Sequence, residues 1–156
     1  MKNLSKQPSS RTCFLCGKQN DDGLKMEWYN NLETGQVEGT IRIPEQFNGY
    51  PGIAHGGIVA AIMDETMGRA VMIDGDFDNL FVTLKLEMTY RNFTPTNTPL
   101  KAVAWIVRRG SRGVRVAGEL RLSDGTVTAE GAALVVRPPE EVSRRWEPER
   151  PFWKVY

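Results

Sequence analysis

The stretch that decides the fold reads Pro51-Gly52-Ile53-Ala54-His55-Gly56-Gly57, and the apolar segment Ile58–Val71 follows it directly. Adjacent glycines are poor residues for a helix interior, where each costs about 1 kcal/mol relative to alanine. At a helix N-terminus they let a ligand approach unpaired backbone N–H groups at the positive end of the helix dipole. Such a terminus can stabilise an oxyanion. Two carboxylates, Asp64 and Glu65, lie further along this segment, so the pattern indicates a site of chemistry on one helix.

The residues before the helix predict a loose terminus, two strands and a loop. Residues 1–11 are polar and are expected to be loose. Apolar and polar residues alternate over Leu24–Tyr29 and over Val37–Ile43, as in half-buried strands. The stretch Pro44–Ala54 is rich in Gly, Pro and Asn and predicts a loop. The helix itself is expected over about His55–Ile73.

The residues after the helix alternate as strands do. We expect four strands here, over Leu80–Tyr90, Leu100–Val107, Val114–Leu122 and Val127–Val136. The helix is apolar nearly all round, which indicates burial, and one buried helix with about six antiparallel strands predicts an α+β architecture. We divide the chain into an N-terminal segment, a main domain and a tail, over 1–19, 20–137 and 138–156. The tail is expected to dock on the body by its aromatic side chains.

Length and composition are those of one domain. The chain has 156 residues, of which 40% are hydrophobic and 25% charged, and its formal net charge is +1. This balance gives no indication of a nucleic-acid or anionic-membrane partner. The first residues lack the apolar core of a secretory signal, and the apolar segment of the helix is too short and too charged to span a bilayer. A cytoplasmic setting is the resulting expectation.

The two carboxylates of the helix have different neighbours. Glu65 is followed one turn later by Arg69, so an ordinary ion pair is expected. Asp64 has no cation among its helical neighbours, which are Ala60, Ala61, Met67 and Gly68. A desolvated, unpaired carboxylate suits a general base, and the alternative for Asp64 is a hydrogen bond to a facing strand or to a partner chain.

Two further patterns have a structural and a functional interpretation. His55 either holds the loop so that Gly56 and Gly57 present their N–H groups, which is the favoured interpretation, or transfers a proton itself. The pair in Cys13-Phe14-Leu15-Cys16 has the spacing of half a zinc site, but the chain has no other cysteine and His55 is committed elsewhere. We therefore expect a structural turn here and no bound metal.

The run Gly49–Gly68 resembles the His-Gly-Gly motif of hotdog-fold thioesterases, including the spacing to Asp64. The resemblance is to the phenylacetate-degradation (PaaI-like) type of acyl-CoA thioesterase and covers about 20–137. Val82–Tyr90 resembles the strand that follows the helix in these enzymes. The opening residues resemble a subgroup that begins with Cys-x-x-Cys-Gly, and the matching positions are Cys13, Cys16, Gly17, Asn20, Gly23 and Leu24.

This resemblance implies a sheet that wraps the helix, and two subunits that pair into a continuous sheet with active sites at their interface. Asp64 matches the family's catalytic carboxylate, the base or nucleophile. Gly56 matches the glycine whose N–H polarises the thioester carbonyl, and Thr83 matches a residue that helps to place the attacking water. In the family, the glycine and the acid that face one substrate come from opposite subunits.

One position departs from the family pattern. Many members have Asn or Gln six residues before the histidine, where this chain has Gly49, and Asn48 is one residue away. Either Asn48 reaches the substrate through a shifted loop or the site lacks this group.

The arginine-rich turn Arg108–Gly113 is a candidate for binding the phosphates of coenzyme A, through Arg109, Ser111 and Arg112, and its alternative is an ordinary solvated surface.

The leading function is hydrolysis of an acyl thioester with acyl-coenzyme A as substrate, without a further cofactor, by a homodimer or a dimer of dimers. The alternative function is a non-catalytic hotdog module that binds acyl-coenzyme A as a sensor or carrier. A hydratase would need a His–Asp pair at a different spacing.

Overall fold

One long α-helix packs against a seven-stranded antiparallel sheet in the computed structural model, which describes residues 3–156. In chain order the elements are β1 (Leu4–Lys6), β2 (Trp28–Asn31), β3 (Gln36–Ile41), β4 (Asn48–Tyr50), β5 (Ile53–Ala54), α1 (Gly56–Arg69), β6 (Val82–Tyr90), β7 (Leu100–Gly110), β8 (Gly113–Leu122), β9 (Val127–Val136) and α2 (Glu140–Ser143). The main sheet has the strand order β1-β2-β3-β7-β8-β9-β6, and β4 and β5 form a separate hairpin. The predicted α+β architecture is confirmed, with seven strands in place of about six.

Glycines in the middle of two strands make room for α1. Gly118 of β8 and Gly131 of β9 are paired in register beneath the helix. A Cβ at Gly118 would lie 3.0 Å from Cε of Met63, and a Cβ at Gly131 would lie 2.9 Å from Cε of Met67. The two methionines therefore occupy space that any larger residue in these strands would take. They belong to the buried face of the helix with Val59, Ile62 and Thr66.

The helix is shorter than the predicted His55–Ile73, and only one of its faces is fully buried. α1 ends at Arg69, and the backbone continues as a 3₁₀ turn over Ala70–Met72. Ala61 and Asp64, on another face, are partly exposed. The expected long helix is thus present and buried against the sheet, and its other side is partly exposed in the single chain because the sheet covers one side of α1.

Strand β2 begins later than the predicted Leu24–Tyr29, at Trp28. Lys25 has a φ of 50°, in the left-handed region, which interrupts an extended strand. The Met26 N–H bonds to the carbonyl of Leu15 in the N-terminal segment instead of to a neighbouring strand. Alternation alone does not reveal such a turn.

Other boundaries shift by a few residues. Strand β3 stops at Ile41 rather than at Ile43, β6 begins after Leu80, and β7 continues through Gly110. The predicted loop Pro44–Ala54 contains a 3₁₀ turn over Glu45–Phe47 and the β4–β5 hairpin.

Residues 3–11 are ordered, which corrects for them the expectation of a loose segment over 1–11; residues 1 and 2 lie outside the described residues. β1 pairs with β2 at the edge of the main sheet. Gln7 is 1% exposed, donates to Oδ1 of Asn30 at 2.7 Å and accepts from Nη1 of Arg69 at 3.2 Å. A buried glutamine with satisfied donors and acceptors anchors this segment to the helix.

The C-terminal tail packs on the body, as predicted. Trp153 contacts the core, and its Nε1 donates to the carbonyl of Phe77 at 2.8 Å. The guanidinium of Arg11 lies 4.1 Å from the ring centroid of Phe152. The 3₁₀ segment Arg144–Phe152 ends at Phe152, and Trp153 follows it directly. Lys154 forms a β-bridge with Ser9 of the N-terminal segment. No helix within residues 3–156 is long and apolar enough to cross a membrane.

Candidate active site

The N-terminus of α1 presents one unpaired backbone donor. His55 is the N-cap residue, and its Nδ1 accepts the Gly57 N–H at 2.9 Å, which requires a tautomer with an unprotonated Nδ1. The N–H groups of Ile58 and Val59 bond to the His55 carbonyl. Among residues 3–156, only the Gly56 N–H of this first turn has no partner. His55 thus holds the loop, as the favoured interpretation of the sequence predicts. Its hydrogen bond uses the Gly57 N–H, however, which was expected to face the substrate.

Tyr90, at the end of β6, contacts the same turn and was not identified from sequence. Its hydroxyl donates to the carbonyl oxygen of Gly56 at 2.6 Å. A Cβ at Gly56 would lie 3.6 Å from Cζ of Tyr90, so the ring packs directly against this glycine. Burial raises the pKa of Tyr90, so the phenol remains a hydrogen-bond donor at neutral pH. Tyr90 therefore fixes Gly56, the residue whose own N–H is free, through the carbonyl on the other side of its Cα.

Asp64 and Thr83 are in direct contact across the helix–sheet interface. The Thr83 hydroxyl donates to Oδ1 of Asp64 at 2.7 Å. Thr83 is the second residue of the edge strand β6. Asp64 is only partly buried, and no other hydrogen bond to its carboxylate exists among the described residues. Asp64 therefore has the hydrogen bond to a facing strand that the sequence offered as an alternative. The second oxygen of its carboxylate remains available to solvent or substrate.

Gly56 and Asp64 of one chain are too far apart to act on one carbonyl group. They are eight residues apart in α1, and a rise of 1.5 Å per residue separates them by about 12 Å along the helix axis. Reacting groups must approach within about 3–3.5 Å. A donor and an acid that serve one thioester must therefore come from two helices.

A cavity of about 310 Å³ adjoins the acid. Asp64 and Thr83 line one part of it, and Leu80, Phe81 and Trp153 provide apolar walls. Trp153 belongs to the C-terminal tail, so the tail contributes directly to this cavity. Its size and mixed lining are those of a site for a small or medium-sized ligand.

A larger cavity, of about 670 Å³, lies at the opposite end of the sheet. It is lined by residues that include Lys101 and Arg121, whose charges pair with Glu38 and Glu119. Since this larger cavity contains neither Asp64 nor Thr83, the smaller cavity is the candidate site.

Glu65 forms the ion pair with Arg69 that the sequence predicted, with Nε of Arg69 2.9 Å from Oε1 of Glu65. Burial raises the pKa of Glu65, and the Arg69 charge opposes this shift. Arg69 is 2% exposed, donates to the carbonyl of Pro8 at 2.9 Å and lies over the ring of Trp28. Glu65 is thus part of a structural network that fixes α1 to the N-terminal segment.

Cys13 and Cys16 are free thiols in a turn beside this network. A hydrogen bond with Cys13 is the main cause that lowers the pKa of Cys16, to about 5, and the same contact raises the pKa of Cys13. Arg69 and Ser10 also favour the Cys16 thiolate.

Asn48 does not reach toward the helix N-terminus. Its Nδ2 donates to Oε1 of Glu45 at 2.8 Å, and the same oxygen accepts the Gly52 N–H at 2.9 Å. Gly49 lies against the histidine, since a Cβ there would be 3.3 Å from the Cα of His55. Asn48 braces its own loop, which favours the second alternative from sequence, a site without this polar group.

The arginine-rich turn is the exposed tip of the β7–β8 hairpin. Within residues 3–156 the arginines of this turn, and Arg115 just beyond it, have no ion-pair partner; those of the turn are Arg108, Arg109 and Arg112. Arg109 pairs with Val114, Val114 with Val135, and Val135 with Thr83 across the sheet. Three strand spacings put Arg109 about 14 Å from Thr83, at the same end of the sheet as Asp64.

The fold and the acid-bearing helix together define a hotdog-type thioesterase domain. The family model for the Thioesterase superfamily matches residues 51–129, and the chain belongs to this family. This match contains the helix, Asp64 and Thr83.

Solved structures of the family superpose on the chain. A thioesterase superfamily protein is 27% identical to this chain, with a TM-score of 0.73. The match covers 81% of this chain and 63% of that protein. This chain therefore spans less than two thirds of the length of that protein. A conserved protein from Pseudomonas aeruginosa is 27% identical, with a TM-score of 0.60, and the match covers 67% of this chain and 82% of that protein. A putative thioesterase from Ralstonia eutropha, related to phenylacetic acid degradation, is 24% identical, with a TM-score of 0.63. The match covers 72% of this chain and 85% of that protein. No curated protein matches the chain significantly.

Proposed function

We propose that this protein hydrolyses acyl thioesters and that its substrates are acyl-coenzyme A esters. The observation that carries the proposal is the Asp64 carboxylate, which is held by Thr83 at the edge of a cavity with apolar walls on one part. Membership of the Thioesterase superfamily supports the same reaction.

In this proposal each polar group has one role. Asp64 either removes a proton from the attacking water or attacks the carbonyl carbon itself; both routes remain open. The Thr83 hydroxyl holds one oxygen of Asp64 and directs the other toward the cavity. The Gly56 N–H, at the positive end of α1, donates to the carbonyl oxygen as negative charge develops on it. The thiolate of coenzyme A is the leaving group.

The complete site requires a second copy of the chain. The separation of about 12 Å between Gly56 and Asp64 along α1 excludes both from one thioester within one subunit. β6 is a nine-residue edge strand whose outer side has no neighbour among the described strands. Antiparallel pairing of two β6 strands would extend the sheet across both subunits and cover an otherwise exposed edge. The resemblance to the family supports this arrangement.

The β7–β8 turn is the proposed site for the coenzyme A phosphates. Its unpaired guanidinium groups suit phosphate oxygens, and they lie at the same end of the sheet as Thr83. A protein of this fold from Streptococcus mutans, 20% identical with a TM-score of 0.58, has been solved bound to acetyl-CoA. That structure supports the choice of substrate class for this chain.

The test is thiol release from a panel of acyl-coenzyme A esters, comparing the wild-type protein with the Asp64→Asn variant. We expect kcat to fall about a hundredfold or more in the variant, the scale for loss of general-base help, while substrate binding is retained. Asp22→Asn, which changes an exposed carboxylate that lines none of the cavities described above, is the matched control and should leave kcat unchanged. Glu65→Gln should lose less activity than Asp64→Asn. Near-normal turnover in Asp64→Asn would contradict the proposal.

The alternative is a non-catalytic module that binds acyl-coenzyme A. The engagement of Asn48 with Glu45, together with Gly49, favours this alternative, because the site then lacks one polar group of the family. Binding of acyl-coenzyme A by the wild-type protein without thiol release from any ester of the panel would establish it.

A further inference from the structure

Two sulfur atoms and a carboxylate meet where the N-terminal segment contacts α1. The Sγ atoms of Cys13 and Cys16 and a carboxylate oxygen of Glu65 all lie within 4.8 Å of one another. We propose that these three side chains bind a zinc ion, with water or the Ser10 hydroxyl in the fourth position. This site is separate from the proposed hydrolysis and does not depend on it.

Glu65 supplies the ligand that the sequence lacked. Cys-x-x-Cys is a spacing from which both sulfurs reach one metal, and on its own it provides only half of a tetrahedral site. Zinc–sulfur bonds of about 2.3 Å in a tetrahedral arrangement place two sulfurs about 3.8 Å apart. The two sulfur atoms, which now lie within 4.8 Å of each other, therefore need to approach by no more than about 1 Å.

The backbone already orients both sulfurs. The Leu15 N–H donates to Sγ of Cys13 at 3.3 Å, and the Ser10 N–H donates to Sγ of Cys16 at 3.4 Å. Hydrogen bonds of this kind hold metal ligands in position. The turn also requires Gly17, because a Cβ there would lie 2.4 Å from the carbonyl oxygen of Cys13.

Charge at the cluster is consistent with a divalent cation. Two thiolates and the Glu65 carboxylate bring three negative charges. The two positive charges of the zinc ion and the one of the buried Arg69 guanidinium balance them. Arg69 bonds to Oε1 of Glu65, and a carboxylate has a second oxygen free to bind a metal. A cluster without net charge limits the cost of burying charged groups.

The position of the cluster indicates a structural role. Cys13 and Cys16 belong to the N-terminal segment, whereas Glu65 belongs to α1 and is adjacent to Asp64. A bound ion would thus fasten this segment to the helix that carries the acid. Because metal bound only in the folded state adds its binding free energy to stability, removal of the ion should lower the melting temperature.

The decisive experiment is a Co²⁺ titration of full-length, tag-free protein that has been stripped with a chelator and kept reduced by a phosphine. Binding at this site should produce a sulfur-to-cobalt charge-transfer band that saturates at one ion per chain and is displaced by Zn²⁺. The Cys13→Ser/Cys16→Ser double variant should lose the band. Glu65→Gln should weaken Co²⁺ binding at least tenfold, whereas Glu33→Gln, an exposed control, should not.

The wild-type titration is decisive even if a variant fails to fold. Absence of a charge-transfer band in reduced, folded wild-type protein overturns the proposal, and the pair would then be two free thiols without a metal. A band that persists in the double cysteine variant also overturns it, since the metal would be bound elsewhere. Neither result affects the thiol-release test of the proposed function.

Discussion

Gly56 is the residue on which the oxyanion role depends, because the other N–H groups of the first turn are occupied by His55. The arrangement shows why two glycines follow the histidine. A Cβ at Gly57 would lie 3.0 Å from Nδ1 of His55, which would disturb the capping contact. Gly56, in turn, leaves its N–H accessible and packs against Tyr90. Gly57 thus permits the capping contact with His55, and Gly56 leaves its N–H free for the proposed substrate.

Tyr90 provides the prediction at this scale. In Tyr90→Phe the Gly56 carbonyl loses its hydrogen bond, and Gly56, whose own N–H is free, is held less firmly. We expect the free energy of unfolding to fall by about 1 kcal/mol, the usual value of one hydrogen bond. We also expect kcat to fall several-fold with little change in KM, since the donor acts on the developing oxyanion. Urea denaturation and thiol release measure the two effects.

A purely structural role for Tyr90 would lower stability and leave kcat unchanged. Tyr50, which is 74% exposed, offers a matched control: Tyr50→Phe should alter neither quantity.

At the scale of elements, the β7–β8 hairpin extends an unpaired cluster of positive charge beyond the sheet. Replacement of Arg109 and Arg112 by Ala should raise KM for coenzyme A esters more than for esters of a short thiol without the nucleotide. The physical reason is that guanidinium groups bind phosphate oxygens, which only the former substrates carry. Arg144→Ala, in the tail, is the control, because this arginine is exposed and pairs with Glu140. Equal changes for both substrate kinds would identify the turn as solvated surface.

The C-terminal tail is a second element with a testable role. Trp153 lines the cavity next to Asp64 and donates to the carbonyl of Phe77. Trp153→Ala should lower the free energy of unfolding by about 2 kcal/mol, less than for a fully buried aromatic. The enlarged cavity should shift kcat/KM toward longer acyl chains. Denaturation and a chain-length series measure these effects. Unchanged stability and an unchanged chain-length profile would show that the tail does not shape the site.

At the scale of the whole molecule, the main question is how the exposed edge of the sheet is covered. β6 carries Leu84, which is 67% exposed at an irregularity in the pairing with β9. We expect light scattering to show a dimer or a dimer of dimers. Leu84→Glu should favour monomers, because the two-fold symmetry of a β6–β6 pair would bring like charges close together. Thiol release should fall in parallel, and a stable monomer with full activity would contradict the shared site.

The sequence by itself determined the parts of this protein that depend on local patterns. Alternation over Val82–Tyr90 and Val127–Val136 located β6 and β9, and the His55-Gly56-Gly57 start with its apolar continuation located α1, since side-chain periodicity follows directly from backbone geometry. The Glu65–Arg69 pair was also predictable, because residues four apart on a helix are neighbours. β1 was missed because three residues are too few to show a period.

Only the tertiary structure decided which groups meet across elements. The contacts of Tyr90 with Gly56 and of Glu65 with Cys13 and Cys16 depend on strand order and on the path of the N-terminal segment. Such long-range pairings leave no local period in the sequence, and a hydrogen bond between residues 34 positions apart, such as the one from Tyr90, forms only once the sheet has wrapped the helix. The chemistry of each residue was therefore readable in advance, whereas its partners were set by packing of the whole chain.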